Sequence, residues 1–335
     1  MITQQHLLQM LGDGEVHSGS ELAASLGVSR AAVWKQLSQL RALGLEVNGE
    51  AGQGYRLGQP YEALDRATIQ SALSASACGV LHSLNTLWEC DSTNNVLLDG
   101  LNSEPLPAGI ASVCLAELQT GGRGRRGRRW VSPPGGGVWC SVSWTWDAPP
   151  ADLSALSLAA GAHVLRALQQ LGCEGLQVKW PNDLLADGRK IGGILIDVQG
   201  DLAGPITVVV GLGLNLIVSD ATRDQVNADG GQPPIGLYEL GVTRSRNLVA
   251  ADVVSALVDM LQNYAGAGFS RDKDFWCAND FLRNKPVMVS GSSALSGVAM
   301  GVNDQGYLRV VAEHGEQLVG AGDVSLRLNP QESVR

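Results

Sequence analysis

The chain has 335 residues and a mass of 35.1 kDa, which is enough for two or three domains. Hydrophobic residues make up 44% of it and charged residues 17%, so packed cores are expected and wholesale disorder is excluded. The formal net charge of −9 argues against binding nucleic acid through bulk positive charge, so any DNA contact should be local.

The first sixty residues predict a winged helix-turn-helix domain. Ser20 and Ser29 are candidate caps of its second and third helices, and Gly44 ends the third. Glycines between the two strands, among them Gly52 and Gly54, are typical of the tip of a wing. The predicted helices are Gln4–Leu11, Glu21–Leu26 and Arg30–Leu43, and the predicted strands are Leu45–Val47 and Tyr55–Leu57.

The polar face of the third helix favours DNA binding, because its side chains have the length and chemistry to reach phosphates and base edges. The residues expected to do so are Ser29, Arg30, Lys35, Gln36 and Gln39. Residues 1–60 contain one more acidic than basic side chain, so binding should depend on dimerisation. The alternative is a solvated helix in a small protein-interaction module.

After Gln59-Pro60 the pattern predicts a mixed α/β domain and then, from Pro286, a small β domain. Asp152 is a candidate cap for the first long helix, and Asp187-Gly188 predicts a hairpin turn. The predicted strands are Leu87–Cys90, Ile110–Leu118, Gly137–Trp146, Gln177–Ala186, Lys190–Val198 and Pro205–Leu214, and the predicted helices are Asn94–Leu101, Leu153–Leu171 and Leu248–Tyr264.

Five arginines fall in the seven residues from Arg123 to Arg129, within an acidic chain. The segment also matches the dinucleotide fingerprint G-x-G-x-x-G, but that fingerprint must open a helix, and Pro133-Pro134 soon follows. The Walker phosphate motif is absent from the sequence. A basic loop that closes over an anion remains, beside the alternatives of a solvated loop or a second nucleic-acid patch.

Three further segments carry polar groups at the ends of predicted strands. Lys179–Leu184 reads KWPNDL, and Lys190 opens the next strand, where a lysine is costly unless it meets an anion. Asp91–Asn94 reads DSTN, which on its own is also explained by helix capping. Gly211–Asn215 reads GLGLN, whose glycines allow close approach to the backbone.

In this order and behind a winged helix, the motifs GRGRRGR, KWPNDL, DSTN and RKIGGIL resemble those of the biotin–protein ligases. The resemblance is closer to the bifunctional members that also repress biotin-synthesis genes. It implies an α+β multidomain protein with a winged helix-turn-helix at 1–60, a class II synthetase-like catalytic domain at 61–283 and an SH3-like β-barrel at 284–330.

The resemblance also implies a two-step reaction. Biotin and ATP, with Mg²⁺, give biotinyl-5′-AMP, and a lysine of the biotin carboxyl carrier protein then takes the biotin. No tightly bound cofactor is expected. By similarity the catalytic residues are Lys190, Arg125, Lys179 and Asp183, with Asp183 also a candidate for Mg²⁺ through the nucleotide.

By the same similarity, the expected biotin-binding residues are Ser92, Thr93, Asn94, Gln119, Arg123, Gly124, Arg125 and Lys190. The residues expected to bind ATP or the adenylate are Gly122, Arg126, Gly127, Arg128, Trp130, Lys179, Asn182, Asp183 and Asn215. Some relatives cover the adenine with a tryptophan after the GLGLN strand. Residues 219–235 contain no aromatic residue, which leaves the adenine cover open.

The resemblance implies binding to operator DNA by a homodimer that biotinyl-5′-AMP promotes. A regulator that senses biotin without ligating it, and a lipoate or octanoate transferase, are the alternatives. The longest apolar runs fall far short of the roughly 20 residues that span a bilayer, and the N-terminus lacks a secretory pattern. Six cysteines without a CxxC pair predict reduced thiols, so we expect a cytoplasmic protein with no membrane partner.

Overall fold

The structure, a computed structural model, describes residues 4–50, 53–201, 203–290, 294–322 and 325–328. Within them, a helical N-terminal unit with a two-stranded ribbon is followed by a seven-stranded sheet with helices on both faces and then by a five-stranded sheet. This is the α+β architecture that the sequence predicts, and the exact boundaries at residues 60 and 283 stay predictions. In the described part of the chain, no helix is both long and apolar enough to cross a membrane.

The N-terminal unit has the winged-helix order of elements. Buried leucines from all three helices form its core, and Ser29 caps the third helix by accepting a hydrogen bond from the amide of Ala32. The second helix begins earlier than predicted, because Ser18 rather than Ser20 caps it. The elements are α1 (Gln4–Leu11), α2 (Gly19–Ser25), α3 (Arg30–Ala42), β1 (Val47–Glu50) and β2 (Gly54–Leu57).

The wing strands pair antiparallel, with Val47 opposite Leu57. The first strand therefore starts where the sequence predicted it to end. The predicted wing tip at Gly52–Gly54 lies partly outside the described residues, as do the ends of the predicted domains at residues 1 and 330.

The central sheet has the strand order β3-β4-β5-β9-β8-β7-β6, with β3 and β4 parallel and every other described pair antiparallel. Its strands are β3 (Leu81–Cys90), β4 (Ala111–Gln119), β5 (Gly137–Trp146), β6 (Leu176–Lys179), β7 (Asp183–Ala186), β8 (Arg189–Gly200) and β9 (Ile206–Asn215). Both faces of β5 are buried, because helices cover the sheet on both sides.

The helices of the central region are α4 (Arg66–Ala72), α5 (Ala75–Val80), α6 (Thr93–Ser103), α7 (Leu156–Gln170), α8 (Asp220–Ala228), α9 (Arg246–Ala267) and α10 (Ser270–Ala278). The helix predicted at Leu153–Leu171 instead begins with a 3₁₀ turn, and the Asp152 side chain makes no capping hydrogen bond. The sequence analysis did not predict α4, α5, α8 or α10.

One predicted strand, Gln177–Ala186, is in fact two. The turn at Trp180-Pro181-Asn182 interrupts it, and the buried indole of Trp180 donates to the carbonyl of Gly306. A proline cannot donate to a strand ladder, which is why pairing stops there. The break makes Lys179 and Asp183 direct partners across the new hairpin.

The segment between the winged helix and the sheet is held by a buried ion pair. Arg246 and Glu117 are almost fully buried and lie 2.7 Å apart, and the second oxygen of Glu117 accepts from the amide of Leu64. Arg246 also donates to the carbonyl of Glu62. These hydrogen bonds complete the buried ion pair, which would otherwise be costly, and they hold residues 62–64 against strand β4 and the helix that begins at Arg246.

The C-terminal strands form one antiparallel sheet in the order β13-β12-β11-β10-β14. They are β10 (Pro286–Ser290), β11 (Leu295–Val302), β12 (Leu308–Ala312), β13 (Gly315–Val319) and β14 (Ser325–Leu328). The small C-terminal β domain that the sequence predicts is present.

Candidate functional site

A cavity of about 530 Å³ lies between the basic loop at 122–130 and the strands β6, β7 and β8. All but two of the residues predicted to bind biotin or ATP line it. The two exceptions are Gly122 and Gly127. The predicted residues that line it are Ser92, Thr93, Asn94, Gln119, Arg123, Gly124, Arg125, Arg126, Arg128, Trp130, Lys179, Asn182, Asp183, Lys190 and Asn215.

The DSTN motif stands at the junction of β3 and α6, and its side chains are not used as helix caps. Ser92 occupies the cap position without a capping hydrogen bond, while the side-chain oxygen of Gln119 accepts from the backbone amide of Thr93 at 2.9 Å. Ser92, Thr93 and Asn94 are all buried beside the cavity. The Thr93 hydroxyl instead joins a polar network in the cavity wall, 3.2 Å from the side-chain oxygen of Gln119 and 2.7 Å from the hydroxyl of Ser141.

The glycines of GLGLN leave room for two side chains. A methyl group on Gly211 would lie 2.3 Å from Oδ1 of Asn94, and one on Gly213 would lie 2.4 Å from the Trp130 ring. The Trp130 indole also lies under Lys190, whose Nζ atom is 5.3 Å from the ring centroid. Close approach at these glycines, expected from the sequence, is what places Asn94 and Trp130 in the cavity wall.

The basic loop is tied to the molecule at two points. Arg123 donates to Oδ1 of Asn95 at 2.6 Å, and Arg125 donates to the carbonyl of Gly322, in the C-terminal domain, at 2.6 Å. Gly122 lies outside the cavity lining because it packs against backbone, where an added methyl would be 2.8 Å from the carbonyl of Trp130. Arg126 adopts a left-handed φ of 60° at the turn of the loop.

Two lysines and one carboxylate lie opposite the basic loop. The Nζ atom of Lys190 is 2.6 Å from Oδ1 of Asp183, and Lys179 donates to the side-chain oxygen of Gln232 at 2.7 Å. Burial lowers the pKa of Lys179, with the positive charges of Lys190 and Arg128 acting in the same direction and Asp183 opposing them. The site thus concentrates positive charge, which suits anionic ligands.

Asn182 and Asn215 are held by the backbone of β8. The side-chain amide of Asn182 donates to the carbonyl of Ile194 at 2.7 Å, and that of Asn215 donates to the carbonyl of Lys190 at 3.2 Å. Both line the cavity with fixed orientations. Among the described residues, no group of three or more His, Cys, Asp or Glu side chains is arranged to hold a metal ion.

One end of the cavity is lined by residues that were not predicted from the sequence. Helix α8 and the segment after it form this wall, where Gln232 donates to the carbonyl of Gly188. Phe281 supplies an aromatic ring here, and Arg327 enters from the C-terminal strand β14. No motif marks these residues, because they are brought to the cavity only by tertiary packing.

The predicted DNA-binding residues lie along α3. Arg30, Lys35 and Gln39 are exposed, Gln36 is partly exposed, and Ser29 serves as the helix cap. The Gln39 side chain accepts from Gln4 at 3.2 Å. On the same exposed face lies Trp34, 60% exposed, which the sequence analysis did not select. Trp34 could have been selected from the sequence, because its large apolar side chain falls on the polar face of the helix.

The winged helix contacts a wall of the cavity directly. The hydroxyl of Ser219, which caps α8, donates to the carbonyl of Gly44 at the end of α3. Thr222 from the first turn of α8 lines the cavity. The winged helix and the cavity therefore share one short helix as a neighbour.

Comparisons with known proteins agree with this arrangement. Residues 89–215 match the Biotin/lipoate A/B protein ligase family, and residues 3–56 match a family described as an HTH domain. The chain is 36% identical to the bifunctional ligase/repressor BirA of Salmonella typhimurium, over 96% of each chain. It is 34% identical to the protein of the same name from Escherichia coli, again over 96% of each.

Among solved structures, the chain is similar to the biotin protein ligase from Aquifex aeolicus in complex with biotin and ATP. The TM-score is 0.59 at 25% identity, covering 74% of this chain and 99% of that one.

Proposed function

This chain belongs to the family of bifunctional biotin ligases and repressors, and from that premise we propose that it activates biotin with ATP and transfers it to a carrier protein. The carboxylate of biotin attacks the α-phosphate of ATP, giving biotinyl-5′-AMP and pyrophosphate. A lysine of the biotin carboxyl carrier protein then attacks the acyl carbon and releases AMP.

The observation that carries this proposal is the opposition of charges across one cavity. Arg123, Arg125 and Arg128 line one side, and Lys179 and Lys190 line the other. The first step brings two anions together, so its main obstacles are their mutual repulsion and the charge that develops on phosphorus. A cavity with cations on both sides reduces both obstacles without any nucleophile from the protein.

At one end we place biotin. Ser92, Thr93, Asn94 and Gln119 supply hydroxyl and amide groups for its ureido ring, and Trp130 supplies an apolar surface. Lys190 then meets the carboxylate, because its Nζ atom lies over the Trp130 ring, 5.3 Å from the centroid. Arg123 and Gly124 cover this end, and Arg125 holds the cover to the C-terminal domain.

At the other end we place the nucleotide. Lys179, Arg126 and Arg128 meet its phosphates, and Asn182 and Asn215 orient it. Asp183 would supply an oxygen ligand for the Mg²⁺ that accompanies ATP, because a carboxylate suits that ion. When bound, Mg²⁺ would neutralise phosphate charge. We assign the adenine cover to Phe281 and Val226, which line the cavity, since residues 219–235 contain no aromatic residue.

The direct test mixes the protein with biotin, ATP, Mg²⁺ and a biotin carboxyl carrier domain, and detects biotin on the carrier by streptavidin blot. We expect labelling that requires all four components. Attachment of lipoate or octanoate in place of biotin, read as the mass added to the carrier, would identify the transferase of related fold. Tight biotin binding without labelling would leave a regulator that senses biotin and does not ligate it.

We also propose that biotinyl-5′-AMP promotes a homodimer that represses biotin-synthesis genes. Strand β8 supports this, because β7 pairs with it only as far as Gly193 and Val198 beyond is half exposed. Such an edge is a template for pairing with a second chain. A dimer would present two α3 helices to one duplex, as a weakly charged winged helix requires.

The test is sedimentation equilibrium together with footprinting on the DNA upstream of the biotin-synthesis genes. We expect association and protection of DNA to increase together when biotin and ATP are both present. Equal protection with and without the two ligands would remove the switch.

A further inference from the structure

We propose that Asp197, on strand β8, is a positioning residue that sets the hydrogen-bond polarity of the biotin pocket. This inference rests on the proposed function, since it concerns the pocket assigned to biotin. Asp197 does not line the cavity, and the sequence analysis did not select it. Its carboxylate nevertheless touches two residues that do, Asn94 and Arg123.

Asp197 begins a chain of side-chain hydrogen bonds. The amide of Asn94 donates to Oδ2 of Asp197 at 2.8 Å, and the oxygen of Asn94 accepts from the hydroxyl of Ser141 at 2.6 Å. Ser141 in turn lies 2.7 Å from the hydroxyl of Thr93. Ser141 is fully buried, and Asn94 and Thr93 are nearly so.

The direction of this chain follows from the chemistry of its first member. An ionised carboxylate accepts hydrogen bonds and donates none, so Asn94 must turn its NH₂ group towards Asp197. The amide oxygen then faces Ser141, whose single proton is used on it. The oxygen of Ser141 is left as an acceptor for Thr93 or for a ligand. One carboxylate thereby fixes the donor and acceptor roles of Asn94 and Ser141, while the Thr93 hydroxyl has both Ser141 and Gln119 as acceptors.

The same carboxylate lies beside the basic loop. Its Oδ2 atom is 3.8 Å from a guanidinium nitrogen of Arg123, which also donates to Asn95. Asp197 therefore lies between the floor of the pocket and Arg123, whose shorter contact is its hydrogen bond to Asn95. The Nδ2 atom of Asn94 also lies 3.5 Å from the carbonyl of Leu195, so Asp197 is the closer of its two acceptors. Without Asp197, only that longer contact opposes a half-turn of the Asn94 amide, and the pattern seen by a ligand is no longer fixed.

The experiment measures dissociation constants by calorimetry for biotin and for 2-iminobiotin, which carries N–H donors in place of biotin's carbonyl acceptor. We expect Asp197→Asn to weaken biotin binding by roughly ten- to a hundred-fold, the effect of one charged hydrogen bond. We expect it also to reduce the preference for biotin over 2-iminobiotin, because the Asn94 amide is then able to turn. Asp197→Glu, which keeps the carboxylate, should restore the preference.

Asp201→Asn is the matched control, because it removes a carboxylate just beyond the end of β8, where Asp201 is exposed. It should leave both ligands and their ratio unchanged. An unaltered ratio in Asp197→Asn, with wild-type protein binding biotin normally, overturns the role of Asp197. A lowered melting temperature and weaker ATP binding in Asp197→Asn, with the ratio kept, would show a structural role only and overturns it too. Failure of the wild-type protein to bind biotin overturns instead the proposed function.

Discussion

The Nζ atom of Lys190 lies 2.6 Å from Oδ1 of Asp183, and both groups face the cavity. The two side chains act on a substrate carboxylate in opposite ways, because the lysine attracts it and the aspartate repels it. For Lys190 to meet biotin, it must divide its hydrogen bonds between the two carboxylates. If Asp183 holds the Mg²⁺ of ATP as proposed, the lysine would be released from its ion pair, and the arrival of ATP would be linked to the exposure of Lys190.

This relation predicts a split effect of Asp183→Asn. Loss of the competing carboxylate should leave biotin binding unchanged or tighter. Loss of the metal ligand should slow adenylate formation by about a hundred-fold, as when an electrostatic contact to a transition state is removed. Calorimetry with biotin and single-turnover formation of biotinyl-5′-AMP measure the two effects. Equal losses in both would argue against the separate roles.

A second prediction concerns the glycine at the bottom of the biotin end. Gly211→Ala places a methyl group where Oδ1 of Asn94 now lies, so the amide must move. Overpacking of this kind costs about 1–3 kcal/mol, and we expect biotin affinity to fall at least ten-fold. The control is Gly100→Ala in α6, where an added methyl meets nothing within 4 Å. If both variants bind biotin alike, Gly211 has no role in the pocket.

A third prediction concerns the basic loop at 122–130, which we propose covers the bound ligand. Arg125→Gly removes the 2.6 Å hydrogen bond to the carbonyl of Gly322 and the tie between the basic loop and the C-terminal domain. The loop should open more often, and biotinyl-5′-AMP should leave faster, by about ten-fold for one charged hydrogen bond. Stopped-flow release of the adenylate measures this rate. Arg125→Lys keeps the charge, so its release rate should lie between those of the wild type and Arg125→Gly. An unchanged release rate in Arg125→Gly would contradict the proposal that this hydrogen bond holds the loop closed.

A fourth prediction concerns the pH dependence of stability. Burial raises the pKa of Asp280 to about 6, and one of its oxygens has no hydrogen-bond partner in the described structure. Because this pKa is higher in the folded than in the unfolded chain, the folded state binds more protons between about pH 4 and pH 6. Stability from this group is therefore present below pH 4 and is lost as the pH rises through 6.

Asp280→Asn removes this titration. As the pH rises from 4 to 7, the variant should become more stable than the wild type. The difference in the free energy of unfolding should reach about 2–3 kcal/mol, which appears as a higher melting temperature. Thermal melts of both proteins across this range measure the difference. Parallel curves would mean that Asp280 is not the group that titrates.

The sequence predicted which residues line the cavity better than it predicted the elements that carry them. Motifs such as KWPNDL mark residues whose chemistry is unusual wherever they stand, so Lys179 and Asp183, which line the cavity, were selected although their strand was predicted as unbroken. The turn at Trp180–Asn182 depends on a tertiary contact, the indole of Trp180 on Gly306, which no local pattern contains.

Residues that reach the site only through tertiary packing could not be predicted from the sequence. Asp197 has an ordinary place in a strand, and the role proposed for it rests on its contacts with Asn94 and Arg123, which are distant in sequence. Arg327 and Phe281 reach the cavity from elements more than 40 positions apart in the chain, and neither lies in a motif. Propensity and spacing describe neighbours in sequence, whereas these contacts are set by how whole domains pack.

The most direct test of the account is biotin-dependent exchange of pyrophosphate into ATP by the Lys190→Ala variant. This reaction reports adenylate formation alone, without the carrier protein. We expect the wild type and a control, Lys273→Ala, whose lysine pairs with Asp304 on the surface, to exchange at similar rates. Lys190→Ala should lose nearly all activity, because the biotin carboxylate has lost its counter-charge. Near-normal exchange in that variant would contradict the claim that opposed cations hold the two anions together.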